Sequence, residues 1–276
     1  MADIRSEAAS LARIAFAFAR VEWLETARFK AMWFFQFGWA FLFFLPLALT
    51  GIAYGNDGFE ASGGGPSFLA FAVIGYVTLG VATSALWHGW ESLVRSNQRG
   101  TLPHVWTAEA PRWAALIGVT LVNLGIAGFR SVLVLVIASV VMGGATYIVT
   151  GPAVLSVLIA LVAFWGMGLA FAGLGLVARG ARLPEVLVGL AIVLAGSSYP
   201  ISILPWSVRW ITYINPFTYV IDLLRSTTIG TPSLFPIEIE FLLVAAIALA
   251  SVVGGAWAYT QCERIAIQRG LVGLHA

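Results

Sequence analysis

Few residues in this 276-residue chain carry groups able to do chemistry, and their spacing limits what that chemistry is. The single lysine, Lys30, follows Phe29 rather than a glycine, so no nucleotide-binding loop of the Gly-Lys type forms around it. The single cysteine, Cys262, builds neither a disulfide framework, a zinc cluster nor a redox pair, and reads as a small apolar residue. His88 and His104 flank a charged segment without metal-ligand spacing, and read as interfacial or partner-facing polar residues. Gly196-Ser197-Ser198-Tyr199 lacks the second glycine of a serine-nucleophile turn, and no histidine lies between His104 and His275, which argues against an intramembrane serine protease. What remains is charge in unusual places. Arg130 lies inside a long apolar run, where an ionisable side chain is costly and marks either function or pairing within a bundle. Asn123, in the same run, suits interhelical hydrogen bonding.

The elements that must position these residues are membrane helices. Hydrophobic residues make up 60% of the chain and charged ones 10%, and the mean hydropathy is +0.92, more than a soluble core needs. A net charge of +2 from scattered basic residues excludes a nucleic-acid surface. The expected fold is therefore all-α, a single transmembrane domain over 1–276. At about 20 apolar residues per crossing, spans are expected near Met32–Ala53, Phe68–Trp90, Trp113–Val149, Ala153–Ala178, Glu185–Ser198 and Ile237–Tyr259. The fifth run is short. Behind it Pro200, Pro205, Asn215-Pro216, Pro232 and Pro236 break up apolar sequence over 199–236, as suits re-entrant helices. Before the first span, residues 1–31 place Leu11, Ile14, Phe18 and Val21 on one stripe opposite Arg13 and Arg20, the pattern of an amphipathic interfacial helix.

Basic residues choose the number of crossings, because they concentrate in cytoplasmic segments. Twelve of the fifteen lie before the first span, in the 91–112 segment, at Arg179 and Arg182, or in the tail, and only Arg209 and Arg225 fall on the opposite side. That distribution requires Trp113–Val149 to be one long helix rather than a hairpin, which gives six crossings with both termini cytoplasmic. No carboxylate or histidine is expected deep in a span.

Two segments carry a family resemblance. Glu91-Ser-Leu-Val-Arg95-Ser-Asn-Gln-Arg99-Gly100-Thr101-Leu102, with Pro111 following, resembles the charged stretch between the second and third spans of ABC-2 type ATP-binding-cassette permeases. Gly196-Ser-Ser-Tyr199-Pro200 to Pro205, then Trp210 and Asn215-Pro216-Phe-Thr-Tyr-Val-Ile-Asp-Leu-Leu-Arg225, is similar to that family's pattern after its fifth span. Pro103 departs from the acidic residue usual after Gly-Thr-Leu.

The resemblance implies a coupling helix in 91–112, with Glu91, Arg95, Arg99, Gly100, Thr101, Leu102 and Glu109 as candidates for contact with an ABC ATPase subunit. It implies paired re-entrant helices on the outer side, carrying Tyr199, Pro200, Pro205, Asn215, Pro216 and Arg225. The chain itself is expected to bind no cofactor, with ATP and Mg on the partner. A second copy or a homologous permease completes the path in a prokaryotic plasma (inner) membrane. Arg130, Asn123, Trp33 and Phe34 are the transport-path candidates, and the aromatic run Trp33–Phe44 suits an apolar or amphipathic cargo such as a drug, a lipid or a lipid-linked glycan. The alternatives are an ion-gradient-driven secondary transporter or channel, or a non-transporting scaffold subunit.

Overall fold

The computed structural model describes residues 2–54, 59–60, 65, 67–100, 112–142, 147–178, 186, 189–191 and 194–271. Among these residues there are helices and no strands. In chain order they are α1 (Ala2–Arg28), α2 (Lys30–Tyr54), α3 (Phe68–Gln98), α4 (Arg112–Val141), α5 (Gly151–Val177), a 3-10 turn (Ile201–Ile203), α6 (Trp206–Ile214), α7 (Pro216–Ile229) and α8 (Ile237–Gln268). Helices of 27 to 32 residues such as α3, α4, α5 and α8 are about 40–48 Å long at 1.5 Å per residue, more than the hydrocarbon thickness of a bilayer. These four are long and apolar enough to cross a membrane.

Local sequence sets the ends. Thr150 caps α5, its hydroxyl accepting the Ala153 amide, with Pro152 in the first turn where its missing N–H costs nothing. Gly230 ends α7 at φ 67, a backbone conformation that favours glycine. Residues 113–141 form part of a single helix and not a hairpin, but this helix is shorter than the expected Trp113–Val149: the chain leaves it at Met142, and 147–150 are not helical. The fifth run, 185–198, lies mostly outside the described residues.

Where side chains are small, helices approach to backbone contact, the packing that replaces hydrophobic drive in lipid. α5 is the central element. Gly168 faces Ala85 and Gly89 faces Ala172, so α3 and α5 run in the same direction. Gly166 meets Ser251, and Gly173 meets Tyr259, so α8 runs with them. α4 opposes α3, with Ser84 bonded to the Asn123 carbonyl and Arg130 bonded to Gly80. Alongside α4 in its own direction runs α2, as Phe37 meets Phe129 and Phe44 packs with Val134 and Ala138. The core between α3, α5, α7 and α8 is filled by Phe164, Phe171, Phe217, Ile221 and Val244.

On α1, Val21 of the expected apolar stripe is 55% exposed, whereas Glu22 and Thr26 are buried. The packed face runs through Ala15, Phe18 and Ala19, which close on Gly118 of α4. Glu22 fixes that orientation through partners on α3 and α4.

A side chain at Gly166 has no room, since a Cβ there sits 2.5 Å from the Ser251 carbonyl carbon and the Val252 nitrogen, whereas at Gly254 nothing lies within 4 Å. Gly166→Val is expected to destabilise the bundle by about 1–3 kcal/mol, the cost of overpacking, and Gly254→Val to cost little. Thermal unfolding of the purified chain in detergent checks this, and equal midpoints for the two variants would refute the close α5–α8 contact.

Candidate functional site

Three polar clusters stand out against the apolar bundle. The first joins α1 to α3 and α4. Glu22 accepts from Asn123 Nδ2 at 3.1 Å and pairs with Arg95 at 3.5 Å. Arg95 also faces Glu91 one turn back at 3.7 Å, and Arg99 pairs with Glu25 at 3.2 Å. Glu22 and Asn123 are buried, so this is an ionic contact in a setting where loss of one partner strands the other. The Arg99–Glu25 pair is exposed and adds little to stability. Gly100, at φ 67, turns the chain out of α3. Thr101, Leu102, Glu109 and Pro103 lie outside the described residues.

The second cluster is built on Arg225. The chain places this arginine in α7, 4% exposed. Its Nε donates to the Phe71 carbonyl at 3.1 Å, Nη1 to Gly196 at 2.8 Å and Nη2 to Ser197, while the guanidinium stacks 3.3 Å over the Phe71 ring. The planar fork thus satisfies three carbonyls from two distant segments. Gly75 is required opposite it, because a Cβ there would run into the Ser197 carbonyl. Asn215 ties the other end of α7. Its Oδ1 accepts the Phe217 amide at 3.1 Å, capping the helix ahead of Pro216, and its Nδ2 donates to the Ala191 carbonyl at 2.5 Å.

Pro200 and Pro205 begin the 3-10 turn and α6 respectively, and Arg209 folds back onto the Ser202 and Leu204 carbonyls between them. Tyr199 is half-buried beside them. α6 and α7 thus form a pair of short helices of 9 and 14 residues meeting at Asn215, each too short to cross a bilayer. Phe217 stacks on Phe164 at 5.8 Å, and Thr227 reaches Ser156 at 3.0 Å, so α7 opposes α5. Phe164 lies about 20 Å along α5 from Gly151 at 1.5 Å per residue.

The third cluster contains the transport-path candidates. Arg130 on α4 and Asn123 line a cavity of about 240 Å³ with Ser84, His88 and Trp87 of α3. His88 is half-buried at this cavity, its Nδ1 2.9 Å from the Ser84 carbonyl. Phe34, 76% exposed, lines an adjoining apolar cleft with Arg130. Trp33 donates to the Thr26 carbonyl at 3.1 Å and stacks on Phe37 at 5.8 Å. A larger apolar groove of about 730 Å³ opens between α4 and α5, where Gly125 and Gly128 leave space.

Sequence reasoning missed Glu22 as a bridge and Arg225 as a buried hub. It also missed Glu240, which is 0% exposed in the first turn of α8 beside Asp222 of α7. Position alone places Glu240 at a helix end; the covering by α7 buries it. A signal for Glu22 existed in its place on the packed side of α1 next to Phe18.

Long apolar helices, small-residue contacts and buried polar bridges together define an integral, multi-pass, all-helical membrane protein. The model of the ABC-2 type transporter family matches residues 16–229, and the chain belongs to that family: it is a membrane permease component of an ABC transporter. No curated protein matches the sequence.

Removing the Arg225 fork leaves three buried carbonyls without donors. Arg225→Gln is expected to cost about 3 kcal/mol or more, as for a buried charge-assisted network, and to lower the unfolding midpoint far more than Arg209→Gln, whose partners are exposed or only part-buried. Equal midpoints would overturn the assignment of Arg225 as the hub.

Proposed function

We propose that this permease is the membrane-spanning half of an ATP-driven exporter whose ATPase is a separate subunit. Six crossings, with both termini cytoplasmic, place 91–112 on the ATPase side, where it acts as the coupling segment. ATP and Mg bind to the partner, and two permease copies, or this chain with a homologous one, enclose the path. The cargo is apolar or amphipathic and moves outward in a prokaryotic plasma membrane.

The observation that carries this reading is the ionic bridge at Glu22, beside the family match. It fastens α1 and α4 to the end of α3 from which the coupling segment departs, so a push on that segment moves three helices together. The α6–α7 pair supports the re-entrant reading. Its junction at Asn215 adjoins Phe217, which stacks well down α5, so the pair dips along the bundle and returns. On this topology Arg225 and Glu240 lie toward the outer side.

Mild-detergent purification of the tagged chain from its native host, with partner identification by mass spectrometry, is expected to recover a P-loop ATPase near one to one. A clean preparation without one would favour a gradient-driven or scaffold role. In the reconstituted complex, Arg99→Glu is expected to reduce permease-dependent stimulation of the ATPase at least fivefold, with membrane insertion intact. Unchanged stimulation would remove Arg99 from the coupling contact.

A further inference from the structure

Arg130 presents a cation inside the bundle with no carboxylate against it among the described residues. Its one hydrogen bond there is a long one, Nη2 to the Gly80 carbonyl at 3.4 Å. A guanidinium has five N–H donors, so most of its capacity is unspent where an unpaired charge is expensive. The side chain is shared by two cavities of opposite character. On one side is the polar cavity of about 240 Å³, where His88 and Trp87 bring further nitrogen groups and no Asp or Glu lines the wall. Glu22, the nearest acid by connection, is occupied with Asn123 and Arg95. On the other side is a cleft of about 370 Å³ between α2 and α4, walled by Phe34, Phe37, Phe44 and Leu133, with Arg130 as the one charged group among the described residues that line it. There is room in that cleft beside Gly38, where a Cβ would meet nothing within 4 Å.

We propose that Arg130 marks a binding site for an anionic amphiphile, the phosphate head in the polar cavity between α3 and α4 and the hydrocarbon tail in the aromatic cleft between α2 and α4. The phosphate supplies the missing counter-charge and accepts two parallel bonds from the guanidinium. The tail replaces bilayer lipid against the phenylalanines without exposing a polar atom. A small inorganic anion leaves the cleft empty, and a neutral amphiphile leaves the cation unpaired, so only the combination fills both sides. This assignment rests on the permease reading and narrows its cargo class to anionic lipids and lipid-linked phosphates.

The test is equilibrium binding of radiolabelled hexadecyl phosphate to the purified full-length chain in maltoside micelles. The ATPase is absent, so failure of the exporter reading does not affect the outcome. Saturable binding is expected, weakened at least tenfold in Arg130→Gln and retained within threefold in Arg130→Lys. Gly38→Leu, which fills the cleft without touching the cation, is expected to weaken it at least fivefold. Unlabelled hexadecyl phosphate should compete, while inorganic phosphate and hexadecyl maltoside should not. Binding that survives Arg130→Gln, or competition by hexadecyl maltoside equal to that of the phosphate, overturns the head site. Equal competition by inorganic phosphate, or full binding in Gly38→Leu, overturns the tail site. Should Arg130→Gln fail to elute as a monodisperse species, the competition series and Gly38→Leu decide alone.

Discussion

Backbone that is not helical, inside a bundle that faces lipid, has no water to satisfy its carbonyls, and each orphan costs several kcal/mol. The buried backbone at Gly196 and Ser197 is not helical, and it turns through Gly196 at φ 70 toward a three-residue 3-10 helix. Arg225 answers that constraint from another element. It takes the carbonyls of Gly196 and Ser197 and one more from Phe71 at the start of α3, so α3, α7 and the turn are joined through one guanidinium. Asn215 does similar service at the other end of α7, reaching the Ala191 carbonyl. The short α6–α7 pair holds its place because these two side chains make the irregular backbone around it tolerable.

Elsewhere the bundle is held by close approach. α5 carries glycines on two faces, Gly168 toward α3 and Gly166 and Gly173 toward α8, so three helices running the same way pack at backbone distance. α4 makes fewer such contacts with α5, and the apolar groove lined by Gly125 and Gly128 remains open between them. Tight on one side and open on the other is a suitable build for an element that shifts relative to its neighbours, since rearranging it breaks few dispersion contacts.

Charge is placed where the bundle leaves these apolar contacts. Glu22 is buried between Arg95 and Asn123 at the departure of the 91–112 segment, and Arg130 stands further along α4 between a polar and an aromatic cavity. Both lie on α4 or against it, so α4 connects the Glu22 bridge with the cavities beside Arg130. Asp222 and Glu240 form a separate acidic contact where α7 meets α8, with Asp222 accepting the Leu234 amide at 2.7 Å.

The sequence by itself determined that this is a multi-span helical membrane protein, because apolar length and the side preference of arginine are properties of segments taken one at a time. It also determined that α4 is one helix and that Asn215-Pro216 breaks the chain, since caps and proline act within a few residues. The family resemblance in 91–102 and 196–225 was legible for the same reason, being local strings. Only the tertiary structure decided which face of α1 is packed, that Arg225 is buried against distant carbonyls, and that Phe34 and Arg130 share a cleft. Each of these depends on a partner far away in the chain: Glu22 is 101 residues from Asn123, and Arg225 is 154 from Phe71. Periodicity ranks side chains by hydrophobicity and is blind to a distant carbonyl or carboxylate, and it is those polar partners, expensive to leave unmet in a dry interior, that set the final orientation of the helices.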